Sequence, residues 1–332
     1  MVWPWATGWW GKEIMRESND DGRRAVLVMA YGSPRTLEEI EPYLLDVRGG
    51  RPAPPSLVEE VRRRYAAIGG RSPLLEITRA QARALEALLN DGRAEGPFTV
   101  YVGMRHWHPY IHEAIGQIAA DGVRTVVPLC LTPYASRLST GAYRARLQEA
   151  VEALGQPLEV RDVGDWHTHP RFVAAIVERV REALGRLARE TSEPPYLLFT
   201  AHSLPVAVVA QGDPYDAQLR ETTDLVVRAL GIAPDRWQFC YQSAGASAGP
   251  WLGPPLVEVI ADLARAGQRN LLVVPIGFVS DHVEILYDID IEARRTAERL
   301  GARLSRTVSL NTSPPFIEAL ADVVRRAVGI AG

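Results

Sequence analysis

The sequence predicts an α/β protein with two similar doubly wound domains, each a four-stranded parallel sheet flanked by helices. Short apolar runs alternate with amphipathic helical patterns from Ala25 onward, which is typical of parallel sheets covered by helices. The apolar runs form two groups of four, and a polar, proline-containing joint at residues 190–195 separates the groups. A cleft between two such domains is the default place for a ligand.

The individual elements are predicted in chain order from hydrophobic periodicity and from turn residues. The predicted strands cover residues 25–30, 98–104, 124–131, 157–163, 196–201, 236–242, 270–277 and 303–308. The predicted helices cover residues 36–47, 56–68, 74–90, 109–121, 139–154, 170–189, 214–230, 255–266, 281–300 and 314–328. We therefore expect an N-terminal tail over residues 1–24, a first domain over 25–189 and a second over 190–332.

Composition narrows the class of protein. The chain has 332 residues, of which 47% are apolar, enough for large cores, and its net charge of -3 gives no sign of a nucleic-acid partner. Lys12 is the single lysine, so nearly all basic side chains are arginines, whose planar forks suit carboxylates. No apolar run reaches the roughly 18 residues that a membrane span needs, and we expect no membrane span.

Cysteines and the N-terminus predict a cytoplasmic location. Cys130 and Cys240 lie in predicted strands without partners at metal-ligand spacing, which indicates buried reduced thiols. Four tryptophans among the first ten residues lack the continuous apolar core of a signal peptide, so we expect a disordered tail, with anchoring at a membrane interface as the alternative. Gly32-Ser33-Pro34 after the first strand is not a dinucleotide fingerprint, which disfavours a dinucleotide oxidoreductase.

Two polar residues follow two different predicted strands. His202 comes after strand 196–201, and Glu284 comes after strand 270–277. Ligands of open α/β sheets bind beyond the carboxyl ends of the strands, where an imidazole and a carboxylate can bind a metal or move protons. Two structural alternatives stay open: His202 could simply hydrogen-bond a loop, and Asp281 with Glu284 could form a capping box.

Three acids follow one another at helical spacing. Glu284, Asp288 and Glu292 lie at i, i+4 and i+8, which places them on one helical face over about 12 Å. Neighbouring like charges repel, and a cation or a proton relay would offset that repulsion. A solvated acidic face is the alternative.

Aromatic and basic residues near glycine turns are further candidates. Tyr31 precedes a sharp turn after the first strand, where its phenol could ligate a metal or simply pack. Arg64, Tyr65 and Ser72 join a helix to a glycine-containing loop and could bind a carboxylate beside a flat ring. A solvated basic helix end is the alternative for this segment.

Taken in order along the chain, these motifs resemble one family, the ferrochelatases, which insert ferrous iron into porphyrins. The resemblance extends from about Ala25 to Val328, and the pair of motifs 202–205 and 281–284 in this order is highly specific. The matching segments are residues 27–34, 64–74, 201–205, 212–215, 237–243, 250–254 and 275–288.

The resemblance implies two Rossmann-like chelatase domains with the macrocycle between them. It implies that His202 and Glu284 are the catalytic metal-site pair. It aligns Tyr31 with the tyrosine that ligates the product iron in coproporphyrin ferrochelatases of the Gram-positive type. The porphyrin contacts that it implies are Tyr31, Arg48, Arg64, Tyr65, Ser72 and Tyr143, and the candidate relay residues are Asp288, Glu292 and His106.

We therefore expect an enzyme that inserts ferrous iron into coproporphyrin III to give coproheme. The alternatives are a protoporphyrin IX ferrochelatase and a non-catalytic tetrapyrrole carrier, while the Tyr31 and 64–74 segments argue against a cobalt chelatase. Ferrous iron would be a substrate and no cofactor would be required. No cysteine follows Cys240, so no iron–sulfur cluster is expected. We expect a monomer that makes transient contacts with neighbouring haem-pathway enzymes.

Overall fold

The computed structural model describes residues 22–92, 97–245 and 249–330, and its strands form two sheets. The N-terminal tryptophans, and the predicted tail as far as residue 21, lie outside these residues. The strands are β1 Arg24–Ala30, β2 Phe98–Met104, β3 Thr125–Cys130, β4 Glu159–Val160, β5 Tyr196–Ala201, β6 Trp237–Tyr241, β7 Asn270–Val274 and β8 Arg303–Arg306.

Helices connect the strands and cover the sheets. The predicted helix over 281–300 is a succession of a short α-helix, a π-helix at Asp288–Ala293 and a second α-helix. The α-helices are α1 Ile40–Val47, α2 Pro55–Ala67, α3 Leu74–Leu89, α4 Ile111–Ala120, α5 Thr140–Leu154, α6 Pro170–Glu190, α7 Val206–Ala210, α8 Tyr215–Leu230, α9 Leu256–Arg265, α10 Val283–Leu286, α11 Arg294–Arg299 and α12 Pro314–Ala327. The short helix α7 was not predicted.

Both sheets are parallel and share one topology. The first has the order β2-β1-β3-β4, and the second has the order β6-β5-β7-β8, which is the same order with every number shifted by four. The predicted fold class, two four-stranded parallel sheets flanked by helices, is confirmed. We call the part built on β1–β4 the N-terminal lobe and the part built on β5–β8 the C-terminal lobe.

Two predicted strands lose three or more residues in the structure. The run over 157–163 contributes only the two residues of β4, which pair with β3 at Thr125 and Val126. As an edge strand, β4 has a single neighbour to supply ladder hydrogen bonds. The run over 270–277 ends at Val274, because Pro275 has no backbone N–H to continue the ladder.

The two lobes share a hydrophobic core. One cluster of buried side chains includes Val28 of β1, Phe199 of β5 and Phe316 of α12. Helix α12 packs against α3 and α6, and the guanidinium of Arg325 donates to the carbonyl of Leu88, 2.8 Å away. The last helix of the chain therefore fastens the C-terminal lobe to the N-terminal lobe. Within the described residues, no helix is both long and apolar enough to cross a membrane.

Candidate active site

A cavity of about 300 Å³ lies between the lobes. Strand order reverses at β1 in one sheet and at β5 in the other, and such reversals open a crevice at the carboxyl ends of the strands. Tyr31 follows β1 and His202 follows β5, and both side chains line the cavity. The sheet topology therefore places the two predicted residues in one cleft.

His202 and Glu284 meet in the wall of this cavity. The Nε2 atom of His202 lies 3.7 Å from Oε1 of Glu284. Gly277 makes the approach possible, because a Cβ atom at this position would lie 2.6 Å from the Cβ of Ala201. Only glycine lets the chain beyond β7 pass so close to the end of β5. The structure thus brings the predicted pair together.

The surroundings of His202 determine which ring nitrogen carries the proton. Nδ1 lies within hydrogen-bonding distance of the carbonyl oxygen of Ser203, and a carbonyl accepts only from an N–H. When the ring is neutral its proton is therefore on Nδ1, and Nε2 is the nitrogen that gains a proton beside Glu284 to form the imidazolium. The hydroxyl of Tyr215 donates to the carbonyl of His202 at 3.1 Å and holds the backbone. His202 thus offers a basic nitrogen to the cavity.

Glu284 is held as a carboxylate. Burial by itself would raise its pKa, but the rings of His202 and His282 and the guanidinium of Arg64 outweigh burial and lower the pKa to about 2. Glu284 is therefore negatively charged at neutral pH and available to a cation.

His282 belongs to the site although the sequence analysis did not select it. Nδ1 donates to the carbonyl of Ser280 at 3.0 Å, and Nε2 lies 3.4 Å from Oε2 of Glu284. Burial lowers the pKa of His282, but the contact with Glu284 exceeds this effect and leaves the pKa raised. With acceptors at both nitrogens, the ring favours the imidazolium form and orients Glu284. The available signal was its position two residues before Glu284.

Asp288 begins the π-helix and is buried. Its Oδ2 accepts a hydrogen bond from the hydroxyl of Ser243, and its Oδ1 lies 3.5 Å from Nη1 of Arg64. Burial is the main cause that raises the pKa of Asp288 to about 6, and the charge of Glu284 adds to it against the opposing effects of Ser243 and Arg64. A carboxyl with this pKa exchanges its proton close to neutral pH.

The three acids that were predicted to lie on one helical face differ in their exposure to solvent. Glu284 is half-buried, Asp288 is buried and Glu292 is exposed. The π-helix interrupts the regular α-helical spacing that the prediction assumed. The acids nevertheless remain close enough that the charges of Glu284 and Glu292 both raise the pKa of Asp288.

The capping-box interpretation of Asp281 and Glu284 is wrong. Helix α10 begins after His282, and no side chain caps its first turn. The carboxylate of Asp281 instead accepts from the hydroxyl of Ser309 at 2.8 Å and from the amide of Asn311 at 2.9 Å. The tertiary contacts of the two acids therefore replace the local motif.

Tyr31 enters the cavity from the N-terminal lobe, and its side chain is 42% exposed. Gly32 makes the turn that follows, with φ of +95° and space for no Cβ, which would lie 2.9 Å from the backbone nitrogen of Trp107. The cleft walls still keep much water from the phenol, and this desolvation, followed by the charge of Glu284, raises the pKa of Tyr31 to about 12. The free phenol is therefore neutral at physiological pH.

His106 lies behind Tyr31. Its ring centroid is 4.7 Å from that of Tyr31, and its Nδ1 is 2.7 Å from Oδ1 of Asp46. Burial lowers the pKa of His106 against the opposing effect of Asp46. His106 is not among the described residues that line the cavity, but it contacts Tyr31, which does.

Some of the predicted porphyrin contacts line the cavity and others do not. Tyr65, Ser72 and Tyr143 line the cavity, whereas the described lining includes neither Arg48 nor Arg64. Arg48 donates to the carbonyl at position 51 from the end of α1. Arg64 is engaged by two acids, one of them Asp288.

Arg105 is a second site residue that the sequence analysis missed. Its side chain lines the cavity, and Nη1 donates to the carbonyl of Leu138 at 2.9 Å. The guanidinium carbon lies 5.9 Å from the ring centroid of Tyr31 and 5.8 Å from that of Tyr143. Arg105 therefore places a cation beside the aromatic walls, where a planar ligand with carboxylates would meet it. The available signal was its position next to His106.

The donor set at His202 and Glu284 is open. Nowhere in residues 22–92, 97–245 and 249–330 do three or more His, Cys, Asp or Glu side chains form a group that could hold a metal ion. Permanent structural metal sites are normally closed by a full set of protein ligands. An imidazole with a carboxylate suits a metal ion that binds and leaves.

Sequence comparisons place this chain beside one family. The family model described as Ferrochelatase matches residues 23–328. A ferrochelatase of Deinococcus radiodurans is 41% identical over 302 residues, which cover 91% of this chain and 95% of the relative. The coproporphyrin III ferrochelatase of Bacillus subtilis is 38% identical over 308 residues, which cover 92% of this chain and 98% of the relative.

Solved structures with a similar fold are chelatases. SirB from Bacillus subtilis with Fe3+ has a TM-score of 0.55 at 13% identity and covers 92% of this chain and 95% of its own. CbiX, described as the terminal enzyme for biosynthesis of siroheme in denitrifying bacteria, has a TM-score of 0.51 at 14% identity and covers 92% and 99%. At these identities, the similarity establishes the fold alone.

Proposed function

Because this chain belongs to the ferrochelatase family and is a metal-inserting chelatase of haem biosynthesis, we propose that its reaction is the insertion of ferrous iron into coproporphyrin III. The product would be coproheme. The observation that carries the proposal is the pairing of His202 and Glu284 at 3.7 Å in the wall of a cavity that Tyr31 enters from the other lobe.

His202 and Glu284 would receive the iron. Imidazole and carboxylate are both ligands of ferrous iron, and Glu284 is anionic at neutral pH because its pKa is about 2. His282 would hold the carboxylate in orientation through its second oxygen. The pair would bind the metal beside the macrocycle and release it as the pyrrole nitrogens replace these ligands.

The same groups would remove the pyrrole protons. Two N–H protons leave the porphyrin as one doubly charged iron ion enters, so the charge of the ring system is unchanged. Because Nδ1 already carries a proton, the Nε2 lone pair of His202 can hold either the iron or one pyrrole proton, and it would accept the proton as the iron leaves it for the ring nitrogens. Asp288, with a pKa of about 6, would pass protons toward the exposed Glu292.

Coproporphyrin III carries four propionates and protoporphyrin IX carries two, so either could meet the one arginine of the described cavity lining, and the names of relatives favour coproporphyrin III. Arg105 offers a fork-shaped donor at the cavity wall, and Tyr31 supplies a phenol for the product iron. Several relatives at 38–39% identity bear the name coproporphyrin III ferrochelatase. Protoporphyrin IX is the second candidate, because relatives at 41% identity are named simply as ferrochelatases.

The proposed reaction needs no resident cofactor. An iron–sulfur cluster is typically held by four thiolates, whereas this chain has two cysteines. Cys130 lies on β3 and Cys240 lies on β6, in different sheets. Burial raises the pKa of Cys130 to about 12, which keeps this thiol protonated.

Anaerobic incubation with ferrous iron and each porphyrin, followed at the Soret band, tests the proposal. We expect faster metallation of coproporphyrin III. We expect His202→Ala to lose turnover by at least about 100-fold while it still binds the porphyrin, and His108→Ala, at an exposed histidine outside the cavity lining, to behave as wild type.

The substrate, the metal-site pair and the catalytic activity would each be contradicted by a different result. Faster turnover of protoporphyrin IX would overturn the substrate. Full turnover by His202→Ala would overturn the metal-site pair. Binding of both porphyrins without single-turnover metallation would instead identify a carrier.

A further inference from the structure

A part-buried arginine outside the cavity lining connects two segments of the site. Arg306, the last residue of β8, has a side chain that is only 13% exposed. It forms ion pairs with Asp281, in the loop before α10, and with Asp290, in the π-helix. These three residues form a cluster that we call the Arg306 clamp.

Every nitrogen of the Arg306 guanidinium has an acceptor. Nε lies 2.8 Å from Oδ1 of Asp290, and Nη2 lies 2.9 Å from Oδ2 of the same carboxylate. Nη2 also lies 3.0 Å from Oδ1 of Asp281, and Nη1 donates to the carbonyl of Thr307 at 3.0 Å. A planar fork with fixed directions is needed to hold both carboxylates, so the compact ammonium group of lysine could not reproduce the clamp.

The loop held by the clamp is also tied to the N-terminal lobe. Asn311 donates to the carboxylate of Asp281, and its own carbonyl accepts from Nε2 of Gln81 at 2.8 Å. Gln81, on α3, also donates to the hydroxyl of Ser280 at 2.9 Å. The loop before α10 is therefore anchored at Ser280 and Asp281, by Arg306 from the C-terminal lobe and by Gln81 from the N-terminal lobe.

The clamp lies next in sequence to the groups that carry the proposed chemistry. Asp281 immediately precedes His282 and comes three residues before Glu284, and Asp290 follows Asp288 by two residues. We propose that Arg306 is a positioning residue, which locks the loop before α10, the helix that carries Glu284, to the π-helix of Asp288. This inference rests on the proposed function. It explains why a cation outside the lining of the cavity between the lobes is held between two acids.

A purely stabilising ion pair is the simpler explanation, and the structure offers a way to separate the two. A second cavity, of about 340 Å³, is lined by Arg306, Asp281 and Asp290 together with Arg186. A small ion can therefore reach the clamp from solvent. In Arg306→Ala, a free guanidinium ion could bind between Asp281 and Asp290 in place of the missing side chain. It would then restore the positions of the two acids although it is not covalently attached to the protein.

The main experiment measures coproporphyrin III metallation by Arg306→Ala with and without millimolar guanidinium chloride. We expect kcat to fall on the order of 100-fold, because small misplacements of reacting groups cost that much, while the KM for porphyrin stays within about two-fold. We expect guanidinium to restore kcat by about ten-fold or more. Arg303→Ala is the matched control, since Arg303 starts the same strand and forms an exposed pair with Glu190.

Hydrogen exchange supplies a measurement that does not need activity. Arg306→Ala should increase amide exchange at residues 280–293 and leave the rest of the C-terminal lobe at the wild-type rate. Asp290→Asn, which weakens the clamp with little change of shape, should shift kcat and exchange in the same direction if Arg306→Ala does not fold.

A kcat within about two-fold of wild type, no rescue by guanidinium, or faster exchange throughout the lobe would overturn the positioning role. A wild-type protein that metallates neither porphyrin would overturn the proposed function instead. The exchange measurement would still decide whether Arg306 locks the two segments.

Discussion

Arg64 of α2 reaches from the N-terminal lobe to Asp288 at the start of the π-helix, with Nη1 of Arg64 3.5 Å from Oδ1 of Asp288. The same guanidinium contacts Glu60 at 2.6 Å and lies 5.4 Å from the ring centroid of Tyr287. The guanidinium of Arg64 is therefore paired with Asp288, an acid of the proposed proton path. Its influence on the reaction should appear in the dependence on pH.

Arg64→Gln should move the acidic limb of the pH–kcat profile to higher pH. The positive charge of Arg64 lowers the pKa of Asp288, so its removal raises that pKa above its present value of about 6. The ionised form that accepts protons would then appear only at higher pH. Steady-state metallation rates between pH 5 and 9 would measure the shift. Arg62→Gln, at an exposed residue that pairs with Glu59, is the control, and an unshifted limb would contradict a role for Asp288.

Asp288→Asn should stabilise the protein above pH 6 and slow the reaction. The folded carboxyl has its pKa raised from 3.8 to about 6, so it binds its proton more tightly than the unfolded one. Stability is therefore lost as pH rises through this window and stays lower above it. Asparagine cannot ionise, and the gain should be on the order of 1–3 kcal/mol at neutral pH and close to zero near pH 4.

Urea denaturation at the two pH values would measure this difference in the free energy of unfolding. Asp224→Asn, at an exposed position of α8, should show no such dependence on pH. An equal gain for Asp288→Asn at both pH values would mean that its effect does not come from the buried charge.

Tyr31→Phe should leave metallation within a few-fold of wild type and change the spectrum of the bound product. Phenylalanine keeps the ring that lies 4.7 Å from that of His106 but removes the oxygen that would ligate iron. Absorption spectra of the product complex would measure the change. Tyr101→Phe, whose hydroxyl donates to Asp121 outside the cavity lining, is the control. An unchanged product spectrum would argue against ligation by Tyr31.

Arg105→Met should raise the KM for coproporphyrin III by roughly 10- to 100-fold, the loss expected for one charge-assisted hydrogen bond. The effect on kcat should be smaller, because the propionates lie away from the reacting nitrogens. Initial rates over a range of porphyrin concentrations would separate the two parameters. Arg144→Met, which breaks a pair with Asp162, is the control. A fall in kcat at constant KM would contradict propionate binding by Arg105.

The local pattern of apolar and polar residues was sufficient to predict most of the strands and their division into two sheets. The strands β1, β2 and β5 end where the apolar runs end, and the two groups of four strands correspond to the two sheets. The hydrophobic period reflects which side chains face a core, and this information is present along the chain itself. The short edge strand β4 and the π-helix were not predicted, since they depend on neighbouring elements.

Side-chain partners were harder to predict than elements. Arg64 and Arg105 have the same chemistry in the sequence, and the structure directs the first toward Asp288 and the second into the cavity. Sequence spacing does not show which face of α2 will meet the other lobe. The role of Asp281 was wrongly predicted for a similar reason, because its donors, Ser309 and Asn311, are distant in sequence.

The amino-acid sequence by itself determined the alternation of strands and helices, the division into two sheets, and the position of His202 and Glu284 after strand ends. The tertiary structure alone decided that these two side chains face one cavity, that Asp281 is held by Ser309 and Asn311 rather than in a helix cap, and that Asp288 is buried beside Arg64. The physical reason is the distance along the chain over which each kind of interaction acts. Hydrophobic period and turn chemistry act over a few residues, whereas charge, burial and hydrogen-bond partners at the site come from several loops that meet only in the folded chain.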